Sequence, residues 1–158
     1  MARAIEISAR ALAEDGVRPF GAVIVRDGEI VAEGVNRALA DHDPTSHGEI
    51  EAIRAACRAL GTTSLKGCVL YTSCEPCAMC ASAILIAELD RVVYGADLDQ
   101  SRAAFARHPS APRAIPLDSA VLRAEVGKPI AERAGPARQA LGDEAAAVLA
   151  AYAAKIAG

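Results

Sequence analysis

The chain has 158 residues, 53% of them hydrophobic by a count inflated with alanine, and a formal net charge of −3. That length suffices for one domain with a real core, and Lys66, Lys128 and Lys155 as the only lysines give no general pull toward a polyanion. No apolar run approaches the roughly 20 residues that span a bilayer, and Met1 to Glu14 carries Glu6 and Glu14 in place of a signal-peptide core, so a single soluble, cytoplasmic domain over residues 1–158 is expected.

From the amino end, Ile5, Ala9 and Leu12 recur at helical spacing, which predicts a short helix that stops before Gly16. Phe20 to Arg26 and Glu29 to Asn36 are strand-like runs joined by Asp27-Gly28, a strong signal for a tight hairpin. After a polar loop from Arg37 to Asp43, Pro44-Thr45-Ser46 leads into a helix whose Ile50, Ile53, Cys57 and Leu60 form one stripe, with Gly61 as its C-terminal cap. Gly67 to Ser73 reads as a buried strand, Pro76 as the first residue of the next helix, and Arg91 to Ala96 as another strand. Such a unit pairs its strands in parallel through a right-handed crossover, so the Pro76 helix starts at the carboxyl end of a strand, the edge where ligands bind. Farther on, Ile115 to Val126 reads as a stretch with room for a strand within it, Lys128 to Gln139 is rich in proline and charge, and Asp143 to Ile156 is an alanine-rich helix.

The cysteine count is 5, an odd number, and Cys74, Cys77 and Cys80 crowd together, which fits metal binding better than a disulfide framework. Cys57 and Cys68 read as small core residues, His42 and His108 as loop residues, with His108 alternatively at a pocket mouth. His47-Gly48-Glu49, followed by Pro76-Cys77-Ala78-Met79-Cys80, supplies three zinc ligands and a carboxylate that is not a ligand. A catalytic zinc keeps three protein ligands and an open position for water, whose pKa falls from about 15.7 toward about 7. The pattern His-x-Glu with Pro-Cys-x-x-Cys resembles that of zinc deaminases, and the resemblance implies that Glu49, two residues past His47, takes a proton from that water, passes one to a ring nitrogen and helps an amino group leave as ammonia. His-x-Glu alone more often opens an ordinary surface helix, and Cys-x-x-Cys alone is as often redox or structural; the ordered combination carries the signal. With Cys74 as a fourth ligand the site would instead be closed and structural.

On these residues the chain resembles the cytidine deaminase-like superfamily, in its purine-base branch of guanine deaminases and tRNA-specific adenosine deaminases. The resemblance runs from Pro19 to Asp99 and rests on Pro19-Phe20-Gly21-Ala22-Val23-Ile24-Val25, Asn36, Asp43-Pro44-Thr45-Ser46-His47-Gly48-Glu49-Ile50, Tyr71 through Cys80, and Val93-Tyr94-Gly95-Ala96. It implies a three-layer α-β-α fold, an α/β architecture with a mixed sheet of about five strands and helices on both faces, with residues 127–158 as a C-terminal tail and helix. It also implies Zn2+ on His47, Cys77 and Cys80, Glu49 as proton shuttle, and a homodimer whose partner helps form each site. Asn36 resembles the base-contacting amide, with a turn residue as the plain alternative, and Phe20 resembles a pocket aromatic or a core residue. Asp97 or Asp99, ahead of Phe105, resembles the acidic stretch that in guanine deaminases meets the base amino group; each reads equally as a loop acid. Tyr152 is the candidate for the tail residue that closes the pocket in some of those enzymes. The family usually has alanine where Gly48 stands, so Gly48 predicts a methyl-sized gap beside the metal and a roomier pocket. The activity implied is hydrolytic deamination of a small aminated heterocycle, foremost guanine to xanthine and ammonia, with tRNA a disfavoured partner. Adenosine-to-inosine editing of tRNA, deamination of cytosine, another nucleoside or a triazine, and a noncatalytic zinc-stabilised interaction domain are the alternatives.

Overall fold

The computed structural model of the chain describes residues 1–106, 119–135 and 137–157. It falls into two compact units, Met1–Ser119 and Ala120–Gly158. The first unit carries α1 (Ala2–Ser8) with a 3-10 turn at Ala9–Leu12, β1 (Arg18–Arg26), β2 (Glu29–Asn36), α2 (Gly48–Leu60), β3 (Cys68–Cys74), α3 (Ala78–Ile86), β4 (Arg91–Ala96) and α4 (Leu98–Ala106). Asp27 and Gly28, with φ of 52° and 84°, turn β1 into β2 in the doubly left-handed geometry that an Asp-Gly pair favours. β1 pairs antiparallel with both β2 and β3, and β3 pairs parallel with β4, in the order β2-β1-β3-β4. The described residues therefore form a mixed sheet of four strands where about five were expected. Residues 115–118, the start of the expected extra strand, lie outside the described residues, and so does His108. Ser119–Val126 is not a strand but a helix, α5, as its alanine, leucine, arginine and glutamate favour.

One face of the sheet, with Ala22, Ile24, Ala32, Cys68 and Leu70, packs in a core with Ala52 and Ala56 of α2 and Ile84 of α3. Val23 and Val35 on the other face pack with Ala4 and Ile7 of α1. The three layers follow from this division. The buried faces are narrower than the periodicity suggested. In α1 the contacts come from Ala4 and Ile7, while Ile5 is exposed, and so is Leu12, which lies past the switch to a 3-10 turn at Ala9. In α2 the most deeply buried apolar positions are Ala52 and Ala56, with Ile53, Cys57 and Leu60 partly buried beside them, and Gly61 closes the helix at a φ of 64°.

Small residues line these faces because the helices approach the sheet backbone closely. A β-carbon on Gly34 of β2 would lie 2.2 Å from the Gly48 carbonyl oxygen and 2.5 Å from the Ala52 nitrogen, and one on Gly21 of β1 would lie 2.4 Å from the Ala4 carbonyl oxygen. No β-carbon fits at those distances without moving backbone. Gly21 and Gly34 thus clamp α1 and α2 onto opposite faces of the hairpin.

In the second unit, α5 leads through a 3-10 turn at Ile130–Glu132 to α6 (Gly142–Ala157), which extends the expected terminal helix by one residue at each end. Arg133 donates to the Lys128 and Val126 carbonyls at 3.1 and 3.2 Å, and Glu125 accepts the Ala134 N–H at 2.8 Å. Among the described residues no helix is long and apolar enough to cross a membrane.

The glycine contacts predict the response to a single methyl. Gly34→Ala should lower the unfolding free energy by about 1–3 kcal/mol or more, read as a reduced urea midpoint at unchanged slope; an unaltered midpoint would show that α2 does not depend on this approach.

Candidate metal centre

The register gathers the start of β1 and the ends of β2, β3 and β4 along one edge of the sheet: Arg18 opposite Asn36, Ala22 opposite Thr72, and Cys74 opposite Ala96. Two helices begin at this edge. His47 is the N-cap of α2, extended at φ −83° and ψ 155°, and its carbonyl accepts the Glu51 N–H at 2.9 Å. Cys77 is the N-cap of α3, extended at φ −68° and ψ 172°, its carbonyl accepting the Ala81 N–H at 2.8 Å. Pro76 therefore precedes the cap and is not the first helical residue. The His47 side chain makes no capping bond to α2, and the Cys77 sulfur turns to Cys80 within the first turn of α3.

They meet Cys80, one turn into α3. The sulfurs of Cys77 and Cys80 are 3.6 Å apart, and His47 Nδ1 lies 3.7 Å from Cys77 Sγ and 3.5 Å from Cys80 Sγ. Tetrahedral zinc with Zn–S of about 2.3 Å and Zn–N of about 2.0–2.1 Å requires S···S near about 3.8 Å and S···N near about 3.6 Å. The triangle fits the ion. Its electrostatics fit too. Cys77 is held down to about 4, chiefly by the sulfur contact with Cys80 and then by His47, while that same contact and burial push Cys80 up. Two buried thiolates at this spacing ionise together only against a cation, and the amino ends of α2 and α3 add positive potential from both sides.

Cys74 stands apart. It is buried at the end of β3, but the cluster of side chains able to share a metal holds His47, Cys77 and Cys80 without it. Burial pushes its thiol up, and its sulfur bonds with Ser101. A closed four-ligand site built from Cys74 is not what these residues form.

Glu49, the second residue of α2, is 5% exposed. Burial pushes its carboxyl up, and the group lies within hydrogen-bond reach of both its own backbone N–H and Cys80. A buried carboxyl beside three ligands, itself outside the ligand set, is placed to exchange protons with a molecule bound at the metal. Asn36, 1% exposed, accepts the Ala38 N–H on Oδ1 at 3.2 Å. Gly48 differs from expectation. A β-carbon there would sit 2.5 Å from the Phe20 carbonyl oxygen, so the missing methyl leaves no gap and brings α2 against β1.

The two acids have local partners. Asp97 caps α4 in a reciprocal box, Oδ1 accepting the Gln100 N–H at 2.7 Å while Gln100 Oε1 accepts the Asp97 N–H at 2.9 Å. Asp99 pairs with Arg102 at 2.6 Å, its side chain 86% exposed. Tyr152, in the second unit, is 61% exposed.

Several contacts escaped the sequence reading. Phe20 meets Phe105 of α4 with ring centroids 6.2 Å apart. Ser73 Oγ accepts the Gly21 N–H at 3.0 Å, tying β1 to the strand that leads to the cysteines. Arg18 is 8% exposed, and the His47 imidazole is pushed up chiefly by its contact with Cys77, with the Arg18 charge as the smallest opposing influence. Phe105 alone had a sequence signal, its place after the acidic stretch.

Metal content separates these roles. Cys74→Ala should retain one zinc per chain after dialysis, whereas Cys77→Ala and Cys80→Ala should weaken zinc by more than the about 10- to 100-fold typical of losing an outer partner, measured by elemental analysis and competition with a chelator.

Residues 1–96 match the family described as the cytidine and deoxycytidylate deaminase zinc-binding region. A guanine deaminase of Bacillus subtilis (strain 168) is 45% identical over 119 residues, 75% of this chain and 69% of that protein. A tRNA-specific adenosine deaminase of Agrobacterium fabrum is 47% identical over 90 residues, 57% of this chain, which spans 59% of that relative's length. Among solved structures, guanine deaminase from Bacillus subtilis superposes with a TM-score of 0.81 at 38% identity, over 96% of this chain and 89% of that one. With its zinc triangle at the head of two helices and this match over most of the first unit, the chain belongs to the cytidine and deoxycytidylate deaminase zinc-binding family, whose members are hydrolytic zinc deaminases.

Proposed function

We propose that the chain deaminates a free purine base, guanine to xanthine with release of ammonia, in the cytoplasm. The observation that carries the chemistry is the buried Glu49 carboxyl beside a cluster that holds three ligands, His47, Cys77 and Cys80, among the described residues. Likeness to guanine deaminase over 75% of the chain by sequence and 96% by fold supports guanine above the other bases. The relatives that act on tRNA share a shorter stretch, and the net charge of −3 gives a phosphate backbone little to bind. Five free thiols suit a reducing compartment.

When bound, zinc supplies a water acidic enough to act as nucleophile near neutral pH. Glu49 accepts a proton from that water and delivers one to the ring nitrogen beside the amino-bearing carbon. It then carries a second proton to the departing nitrogen, so that one C–O bond forms, one C–N bond breaks, and water plus base gives oxo base plus ammonia. The raised pKa of the buried carboxyl suits this two-way traffic, because a strongly acidic group would release the proton poorly. Asn36 has its oxygen bonded to Ala38, which leaves the NH2 end to donate to a base carbonyl or ring nitrogen. The Phe20 ring, backed by Phe105, offers an apolar wall for the heterocycle. Gly48 contributes by letting its helix sit close, and Asp97 and Asp99 act on α4 itself.

A homodimer is part of the same proposal. Leu85 and Ile86 at the end of α3 are 79% and 80% exposed, and Tyr94 of the edge strand β4 is 50% exposed, an apolar surface suited to a second copy of the chain. Leu85→Asp with Ile86→Asp should halve the mass seen by sedimentation; an unchanged mass would assign the interface elsewhere.

Glu49→Gln should keep its zinc and lose about 10²- to 10⁴-fold in kcat, followed by ammonia release. Unchanged turnover would remove Glu49 from the proton path. A panel of guanine, adenine, cytosine, their nucleosides, an aminotriazine and tRNA fixes the substrate, and turnover of tRNA with none of the free bases would overturn the choice of guanine.

A further inference from the structure

We infer that Glu75 is a positioning residue that fastens α4, and with it the Phe105 half of the aromatic wall, to the loop carrying Cys77. Glu75 stands between the end of β3 and Pro76. Its backbone N–H donates to the Ala96 carbonyl at 2.8 Å, and its Oε2 accepts the Leu98 N–H at 3.2 Å. Leu98 is the first residue of α4, and its N–H is one of the donors that a helix cannot satisfy from within. Asp97 and Gln100 close the rest of that helix end through their reciprocal box. The carboxylate that completes the cap therefore comes not from α4 but from the segment just before a zinc ligand.

The consequence is a closed circuit of contacts. Phe105 rides on the last turn of α4 and meets Phe20, and the Phe20 carbonyl is the group against which Gly48 packs, beside His47. One ligand helix is thus braced to the aromatic pair through Gly48, and the other through Glu75 and α4. None of the residues of α4 is fully buried. A helix with so little burial of its own holds its place through end contacts such as this one, and a ring at its far end moves when its start is released. Zinc and Glu49 are untouched by such a movement. Substrate would then bind more weakly in a site whose chemistry is intact.

This rests on the reading of the site as a small-base deaminase, and the test separates the two. In zinc-loaded full-length protein, Glu75→Ala should speed amide hydrogen exchange of α4 while zinc stoichiometry stays at that of the parent. Glu75→Gln, whose amide oxygen still accepts from Leu98, should restore protection. With guanine as the substrate, Glu75→Ala should raise KM by about tenfold with kcat within about twofold, and Glu75→Gln should return KM close to the parent. Phe105→Ala leaves the metal loop unaltered and should raise KM by a similar factor, and combining it with Glu75→Ala should add little, because both act through the same ring. Unchanged α4 exchange in Glu75→Ala overturns the inference, as does a faster exchange with unchanged KM, or a fall in kcat that Gln does not rescue. If the parent enzyme releases no ammonia from guanine, the substrate reading fails, while the exchange comparison, which needs no substrate, still decides whether Glu75 holds α4.

Discussion

The site depends on how closely the first turn of α2 approaches the β1–β2 hairpin. At Gly34 and Gly48 backbone meets backbone, with no room for a β-carbon on either residue. That distance sets where the N-cap of α2 stands, and the N-cap is His47. A helix held one methyl farther out would carry both His47 and Glu49 away from the cysteines, which enter on a different helix from a different strand. The small buried face of α2, Ala52 and Ala56, extends the same close contact along the helix.

Once the two helix starts are brought together, their electrostatics follow. At the extended N-caps the His47 and Cys77 side chains meet Cys80, and the amino ends of both helices face the ligands. The cost is two caps without the usual hydroxyl or carboxylate acceptor. Metal coordination offsets that cost by giving the sulfurs and the imidazole a common partner, so folding of this edge and zinc binding reinforce each other. Glu49 lies close enough to feel the cluster and stays outside it, the placement on which its proposed proton transfer rests.

The opposite wall is built differently. α4 has no fully buried residue; its start is bonded within its own cap and to Glu75, and Phe105 in its last turn meets Phe20. In the proposed site the metal side is therefore set by glycine packing around the His47, Cys77 and Cys80 cluster, and the aromatic side by a few hydrogen bonds.

The zinc ligands and the helix, hairpin and strand-helix-strand order were legible in the sequence because each rests on a local rule: Asp27-Gly28 for the turn, Gly61 for the helix end, the spacing of Cys77 and Cys80 for a shared face. The membership of His47 in the same cluster was legible only through motif resemblance, since nothing local joins it to residues thirty positions away. Three things were decided by tertiary structure alone. Gly48 reads as a missing methyl in the sequence and is a backbone contact in the fold, because Phe20 from another strand occupies that space. Asp97 and Asp99 read as either base contacts or loop acids, and the fold gives each a partner on α4, because Gln100 and Arg102 lie one turn away once that segment becomes a helix. Cys74 left a fourth thiolate open as an alternative and stays outside the cluster, because β3 still holds it in extended chain while Cys77 and Cys80 share a helical turn. Residue types and spacing thus determined the chemistry on offer, and the close packing of distant backbone decided which groups take part.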